Sequence, residues 1–243
     1  MAGYASCRWD SRPEENRGQS DRPDRDTSNA GEGDVLGLGG GSTQKRLFRD
    51  FKDVQTTTVE LDPEVVDVAY KYFALPRDPR LRVVVEDGRR FLATNDGPWD
   101  AIVVDAFYAD SIPFHMATRE FLELARSRLA PGGLVAANII GAVRGPDSRL
   151  FRSMLRTYRA VFPTVAIHPV LDAGGDDLGA IRNIIVVAGE GAAPSKEFLR
   201  ERWAELRAAS PGAPDLADAI DGRVDAPVST QDVPVLTDDY APT

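Results

Sequence analysis

The chain has 243 residues, of which 42% are hydrophobic and 28% charged, enough apolar content for a folded core. Its net charge of −9 lacks the basic surface that general nucleic-acid binding requires, and suits either a cationic ligand or simple solubility. Cys7 is the single cysteine and His115 and His168 are the only histidines, which excludes an internal disulfide, a Cys-based zinc site and a His-rich metal centre.

No apolar run reaches the 18–20 or so residues of a membrane span, and no basic start precedes an apolar stretch. The expectation is therefore a cytoplasmic protein with no metal, no nucleic-acid partner and no membrane span. Residues 1–33 are polar, Gly- and Pro-bearing and without period; they read as a disordered tail in which Tyr4 and Trp9 are isolated apolar points.

From Asp34 the pattern changes. Val35–Leu38 predicts a first strand ending in Gly37, Gly39, Gly40 and Gly41, with a helix from Ser42 to Phe51. Thr56–Leu61 predicts a second strand. Asp62-Pro63 then supplies an N-cap and a first-turn proline for a helix with Val65, Val66, Ala69, Tyr72 and Phe73 at helical spacing. Arg82–Val85 is a third strand, Gly88–Ala93 a short helix, and Ala101–Val104 a fourth strand. Met116–Leu129 predicts a helix stopped by Pro131-Gly132-Gly133, and Leu134–Ile140 a fifth strand. A helix bearing Phe151, Met154, Leu155, Tyr158 and Phe162 precedes strands at Thr164–Ile167 and Ile184–Ala188.

Alternation of apolar strands with helices of this length means βαβ units and a mostly parallel sheet with helices on both faces. Residues 34–190 form the expected α/β core. Residues 191–243 hold one amphipathic helix (Phe198, Leu199, Trp203, Leu206) and an acidic tail expected to pack on that core.

In such a sheet the ligand lies outside the carboxyl ends of the strands. Four features fall there. Gly37-x-Gly39-x-Gly41 allows close backbone approach, and Ser42 stands where a dinucleotide fingerprint wants glycine. Glu60, at the end of strand two, suits the paired hydroxyls of a ribose. Asp87, at the end of strand three, suits the exocyclic amine of adenine or a helix cap, and Gly88 keeps the loop close to a ring. Asp105 follows four buried apolar residues, a costly place for an acid unless it faces a polar cleft. Beyond these, His115 reads equally as a substrate-orienting or a structural residue, His168 as a strand-end residue, and Arg89 and Arg90 as a solvated helix face. Asp238, Asp239 and Tyr240 read either as an acidic, aromatic wall for a cation or as an ordinary polar terminus.

Val35–Gly41, Val59–Val66, Val85–Phe91 and Trp99–Asp105 together resemble the successive blocks of the spermidine synthase (polyamine aminopropyltransferase) family. The Asp105-Ala-Phe, Ser111–His115 and Leu236–Pro242 patterns are similar to its bacterial spermidine synthase-like domains. The resemblance implies a class I methyltransferase-like Rossmann fold with seven strands, binding decarboxylated S-adenosylmethionine and moving its aminopropyl group to putrescine or a related polyamine. It implies cofactor contacts from Gly37, Gly39, Gly41, Ser42, Glu60, Asp87 and Gly88, with Asp105 as catalytic acid–base. Tyr108, Asp110, Asp239 and Tyr240 are the expected substrate-side residues for a small cationic amine, and a homodimer is left open. The sequence departs from the family pattern in three ways. Ser42 replaces the acid expected after the glycines, Tyr108 replaces a second acid (with Asp110 nearby), and residues 1–33 show no small β-domain. Two alternatives therefore stay open: an S-adenosylmethionine-dependent methyltransferase, and a non-catalytic nucleoside-binding domain.

Overall fold

A computed structural model describes residues 31–107, 112–170, 177–210 and 212–239. Its centre is a seven-stranded sheet in the order β3-β2-β1-β4-β5-β7-β6. The strands are β1 (Glu32–Leu36), β2 (Gln55–Glu60), β3 (Leu81–Val85), β4 (Trp99–Val104), β5 (Leu129–Gly141), β6 (Thr164–Pro169) and β7 (Arg182–Gly189). The first five pair in parallel, and β7 lies antiparallel between β5 and β6. The expected α/β class and seven-stranded, mostly parallel sheet are thus what the chain adopts.

The helices are α1 (Ser42–Asp50), α2 (Pro63–Tyr72), α3 (Gly88–Thr94), α4 (Arg119–Ser127), α5 (Arg149–Val161), α6 (Lys196–Ala209) and α7 (Ala217–Asp221). On one face of the sheet Phe91, Phe121, Leu122, Phe151, Leu155 and Tyr158 from α3–α5 bury against Leu36, Val59, Ile102 and Val104. On the other, Leu47 of α1 packs on Val35 and Val103, and Ala69 of α2 on Leu38, Leu75 and Leu81. Each side chain of this kind contributes about 1.5–3 kcal/mol when fully buried, so the two layers hold the strand tips in fixed relative positions.

Several boundaries differ from expectation. β1 begins at Glu32, inside the segment expected to be tail, and ends at Leu36 because Gly37 turns out of the strand at φ 111°. Gly33 and Asp34 broke the apolar run that marked the strand. The helix expected over 116–129 is shorter. Phe114–Met116 is a 3₁₀ turn, and Thr118 caps α4 by accepting from the Phe121 N–H. By Leu129 the chain has already paired with Trp99. Pro131-Gly132-Gly133 therefore does not stop a helix. It lies within β5 beside a register shift, where a Cβ on Gly133 would come within 2.9 Å of the Trp99 carbonyl oxygen.

The C-terminal region carries a second helix, α7, that the sequence pattern did not signal. Val228 and Leu236 are buried in the main core cluster. Among the described residues no helix is long and apolar enough to cross a membrane, and no cluster of three or more His, Cys, Asp or Glu residues could hold a metal ion.

Candidate active site at the switch point

The order of the sheet reverses between β1 and β4: β2 and β3 extend one way from β1, β4 and β5 the other. The loops leaving β1 and β4 must therefore diverge, and the crevice between them is where α/β sheets take ligands. Here the two loops touch. A Cβ at Gly37 would lie 2.4 Å from the Asp105 carbonyl oxygen, so only glycine allows this approach. Gly41 caps α1 in the left-handed region at φ 67°, which turns the chain straight from loop into helix. Gly39 also has positive φ, and Ser42 is the exposed first residue of α1.

Glu60 ends β2 and ties the glycine loop to it. Its Oε2 accepts from the Leu38 N–H and its Oε1 from the Asp62 N–H, both at 3.0 Å. Each carboxylate oxygen keeps a further lone pair for a ligand hydroxyl. Asp87 follows β3 and caps α3, accepting from the Arg90 N–H at 2.9 Å through Oδ1, while its Oδ2 lies 2.8 Å from His115 Nε2. Partial burial works to raise the Asp87 pKa. The Arg90 N–H and the His115 ring outweigh it, so the group sits below the ordinary carboxylate range. Gly88 packs its backbone against Met116 and Leu36, where a Cβ would come within 3.1 Å of the Met116 methyl.

Asp105 lies one residue beyond β4 and is half-buried. Burial pushes its pKa up; hydrogen bonds from Asn138 Nδ2 at 3.1 Å and Thr43 Oγ1 at 3.5 Å pull it back only in part. Gln44 steadies the same corner by donating to the Gly37 carbonyl at 3.0 Å. Asn138 was missed by sequence reasoning. It is buried in β5, and its Oδ1 has no hydrogen-bond partner among the described residues. A polar residue inside the apolar run 134–140 was the available signal.

The ends of β3, β2, β1 and β4, with Asn138 inside β5 beside them, thus place Asp87, Glu60, the glycine loop, Asp105 and Asn138 in order along one edge. At about 4.8 Å per strand this line extends about 19 Å, room for a nucleoside and an extended substituent. Leu61 and Phe107, each just beyond a strand, and Val85 at the end of β3 are exposed apolar residues along it.

Other expected residues fall differently. Arg90 is indeed exposed, in an ion pair with Glu86. Arg89 is not a solvated face residue: it forms a two-pronged ion pair with Asp238 at 2.7 and 2.6 Å. Asp238 is thereby held at a pKa of about 2 by the guanidinium and is no free acidic wall for a substrate. Asp239 lies exposed in the following turn. His168 stands in β6 with Nδ1 3.0 Å from the Ala219 carbonyl, tying β6 to α7, and its burial lowers its pKa. Tyr108, Asp110 and Tyr240 lie outside the described residues.

The pattern of the spermine/spermidine synthase domain matches residues 27–173, more than half of the chain. The chain belongs to the spermine/spermidine synthase family. It is 36% identical over 111 residues to a probable polyamine aminopropyl transferase of Bifidobacterium longum, covering 46% of this chain and 24% of that protein. It is 34% identical over 137 residues to an N-terminal histidine N-methyltransferase of Emericella nidulans, covering 54% of this chain and 23% of that protein. The chain therefore spans about a quarter of the length of either relative. Among solved structures, a probable spermidine synthase from Corynebacterium glutamicum superposes with a TM-score of 0.62 at 26% identity, over 76% of this chain and 64% of that one. The site described above lies inside the stretch that matches the synthase domain, apart from the Arg89–Asp238 pair, whose second member lies beyond it.

Proposed function

We propose that this chain is an aminopropyltransferase domain that takes decarboxylated S-adenosylmethionine as one substrate and a small polyamine such as putrescine as the other. The observation that carries this reading is the Asp105 carboxyl. It is half-buried where the β1 and β4 loops touch, and it is fixed by Asn138 on the next strand. The donor set fits the nucleoside. Glu60 offers lone pairs to two ribose hydroxyls, Asp87 to an exocyclic amine, and Leu61, Val85 and Phe107 offer apolar surface to a base.

The chemistry asked of Asp105 is modest. An alkyl amine has a pKa of roughly 10 and arrives as an unreactive ammonium. A carboxylate attracts it and accepts its proton, freeing the nitrogen lone pair. That lone pair forms the new N–C bond as the C–S bond breaks, and its electron pair stays on sulfur, which leaves as a neutral thioether. The product keeps its charge as a secondary ammonium, and Asp105 passes the one proton it accepted to solvent, which restores the carboxylate. With little charge on the leaving group, most of the acceleration comes from aligning nitrogen, carbon and sulfur within about 3–3.5 Å. Burial helps Asp105 here: an acid whose pKa is raised is the stronger base once ionised.

A second reading, methyl transfer from ordinary S-adenosylmethionine, is favoured by Ser42. A neutral side chain there discriminates less against the carboxylate of the undecarboxylated form. Calorimetric titration with each form, followed by putrescine and mass detection, separates the two. Preference for the decarboxylated form with spermidine produced supports aminopropyl transfer. Tight binding of the carboxylated form without spermidine refutes it.

A further inference from the structure

The Arg89 guanidinium joins three segments distant in the chain. It belongs to the first turn of α3, it donates to the His115 carbonyl at 3.0 Å in the turn after β4, and it grips Asp238 near the C-terminus with both Nη atoms. His115 then returns its ring to Asp87, the cap of the same helix. The contacts close a ring: Arg89 fixes the His115 main chain, the His115 ring fixes one oxygen of Asp87, and Asp87 caps the helix that carries Arg89. Asp238 is held from its other side as well, its N–H donating to Glu120 at 3.0 Å.

A surface ion pair adds little to stability, and this one is partly exposed on both sides. Its value lies in geometry. A two-pronged Arg–carboxylate pair sets orientation as well as distance, and this one orients the residue that aims Asp87. Anchoring of the C-terminal segment does not depend on it. The Leu236 N–H donates to Thr157 Oγ1 and the Leu236 carbonyl accepts from the Arg119 N–H, both at 2.9 Å, and the side chain is buried in the core. Loss of the ion pair therefore leaves the fold in place and frees the ring.

We propose that Arg89 and Asp238 are positioning residues whose ion pair, acting through His115, holds the Asp87 carboxylate in the orientation that reads the base of the bound nucleoside. This rests on the proposed nucleoside site and adds to it a specificity element built from the far end of the chain. Asp87 accepts hydrogen bonds, so it distinguishes a 6-amino from a 6-oxo purine only while its oxygen is held toward that edge.

The test is calorimetric binding of 5′-methylthioadenosine and 5′-methylthioinosine to the full chain. Wild type is expected to prefer the adenine nucleoside. Asp238→Asn and Arg89→Met are expected to weaken methylthioadenosine about tenfold and to lower the ratio of the two Kd values at least fivefold. Asp238→Glu is expected to recover most of the ratio, and Arg202→Gln, on α6, to change neither Kd. An unchanged ratio in Asp238→Asn and Arg89→Met overturns the proposal, as does an equal loss for both nucleosides, the mark of a general structural effect. If wild type itself binds neither nucleoside, the site reading fails, and the positioning role fails with it.

Discussion

Asp34 stands in the middle of β1 and is fully buried. Neither oxygen has a well-formed hydrogen bond among the described residues. Burial pushes its pKa from 3.8 up to about 7, against a smaller downward pull from the Val35 N–H. The unfolded chain ionises this group near pH 4, while the folded chain keeps it neutral to about pH 7. Between those values the folded state binds one more proton than the unfolded state, so unfolding free energy falls by about 1.4 kcal/mol per pH unit. The stability is fully present below pH 4 and is lost as pH rises through about 7, a total of about 4 kcal/mol. Asp34→Asn keeps the shape and removes the titration. Urea unfolding of both proteins at pH 5, 6, 7 and 8 is the assay. The wild type is expected to lose about 2–3 kcal/mol relative to Asp34→Asn between pH 5 and 7, and little more beyond pH 8. Parallel stability curves across that range would refute the reasoning, because they would mean that the carboxyl finds solvent or a partner in the folded state.

Three further outcomes follow from the site. Asp105→Asn removes the proton acceptor without changing shape; turnover should fall about 100-fold or more while calorimetric nucleoside affinity stays within about threefold. Asn138→Leu removes a hydrogen bond that lowers the Asp105 pKa, so the acid limb of the pH–rate profile, already above the ordinary aspartate range, should move to higher pH. An unmoved limb would mean that another group sets it. Gly37→Ala places a Cβ against the Asp105 backbone at positive φ; a loss of more than about 2 kcal/mol in urea unfolding is expected, with nucleoside affinity lost in whatever remains folded.

The chain displays its local devices openly. Apolar runs alternating with amphipathic segments specify βαβ units because both periods arise from backbone geometry within a few residues. Asp62 with Pro63 and Asp87 before Gly88 cap helices where a local rule places them. The glycine loop, Glu60, Asp87 and Asp105 stood out for a related reason. A polar or flexible residue at the end of an apolar strand is conspicuous, and a parallel sheet puts all such ends on one edge.

What stayed hidden depends on partners far along the chain. The pairing of Leu129 with Trp99 shortens α4 and draws Pro131–Gly133 into a strand, against the turn chemistry of those residues. The insertion of β7 between β5 and β6 is a matter of register between whole strands. Asn138 became a site residue only when β5 paired with β4 and brought its amide to Asp105. Arg89 looked like a solvated charge until Asp238, 149 residues away, folded onto it. Periodicity and capping are properties of neighbouring residues and can be read in order. An ion pair, a strand register or a shared carboxylate comes into being only when distant segments meet, so the line of carboxylates was legible in the sequence, and the residues that orient them were decided by the tertiary fold.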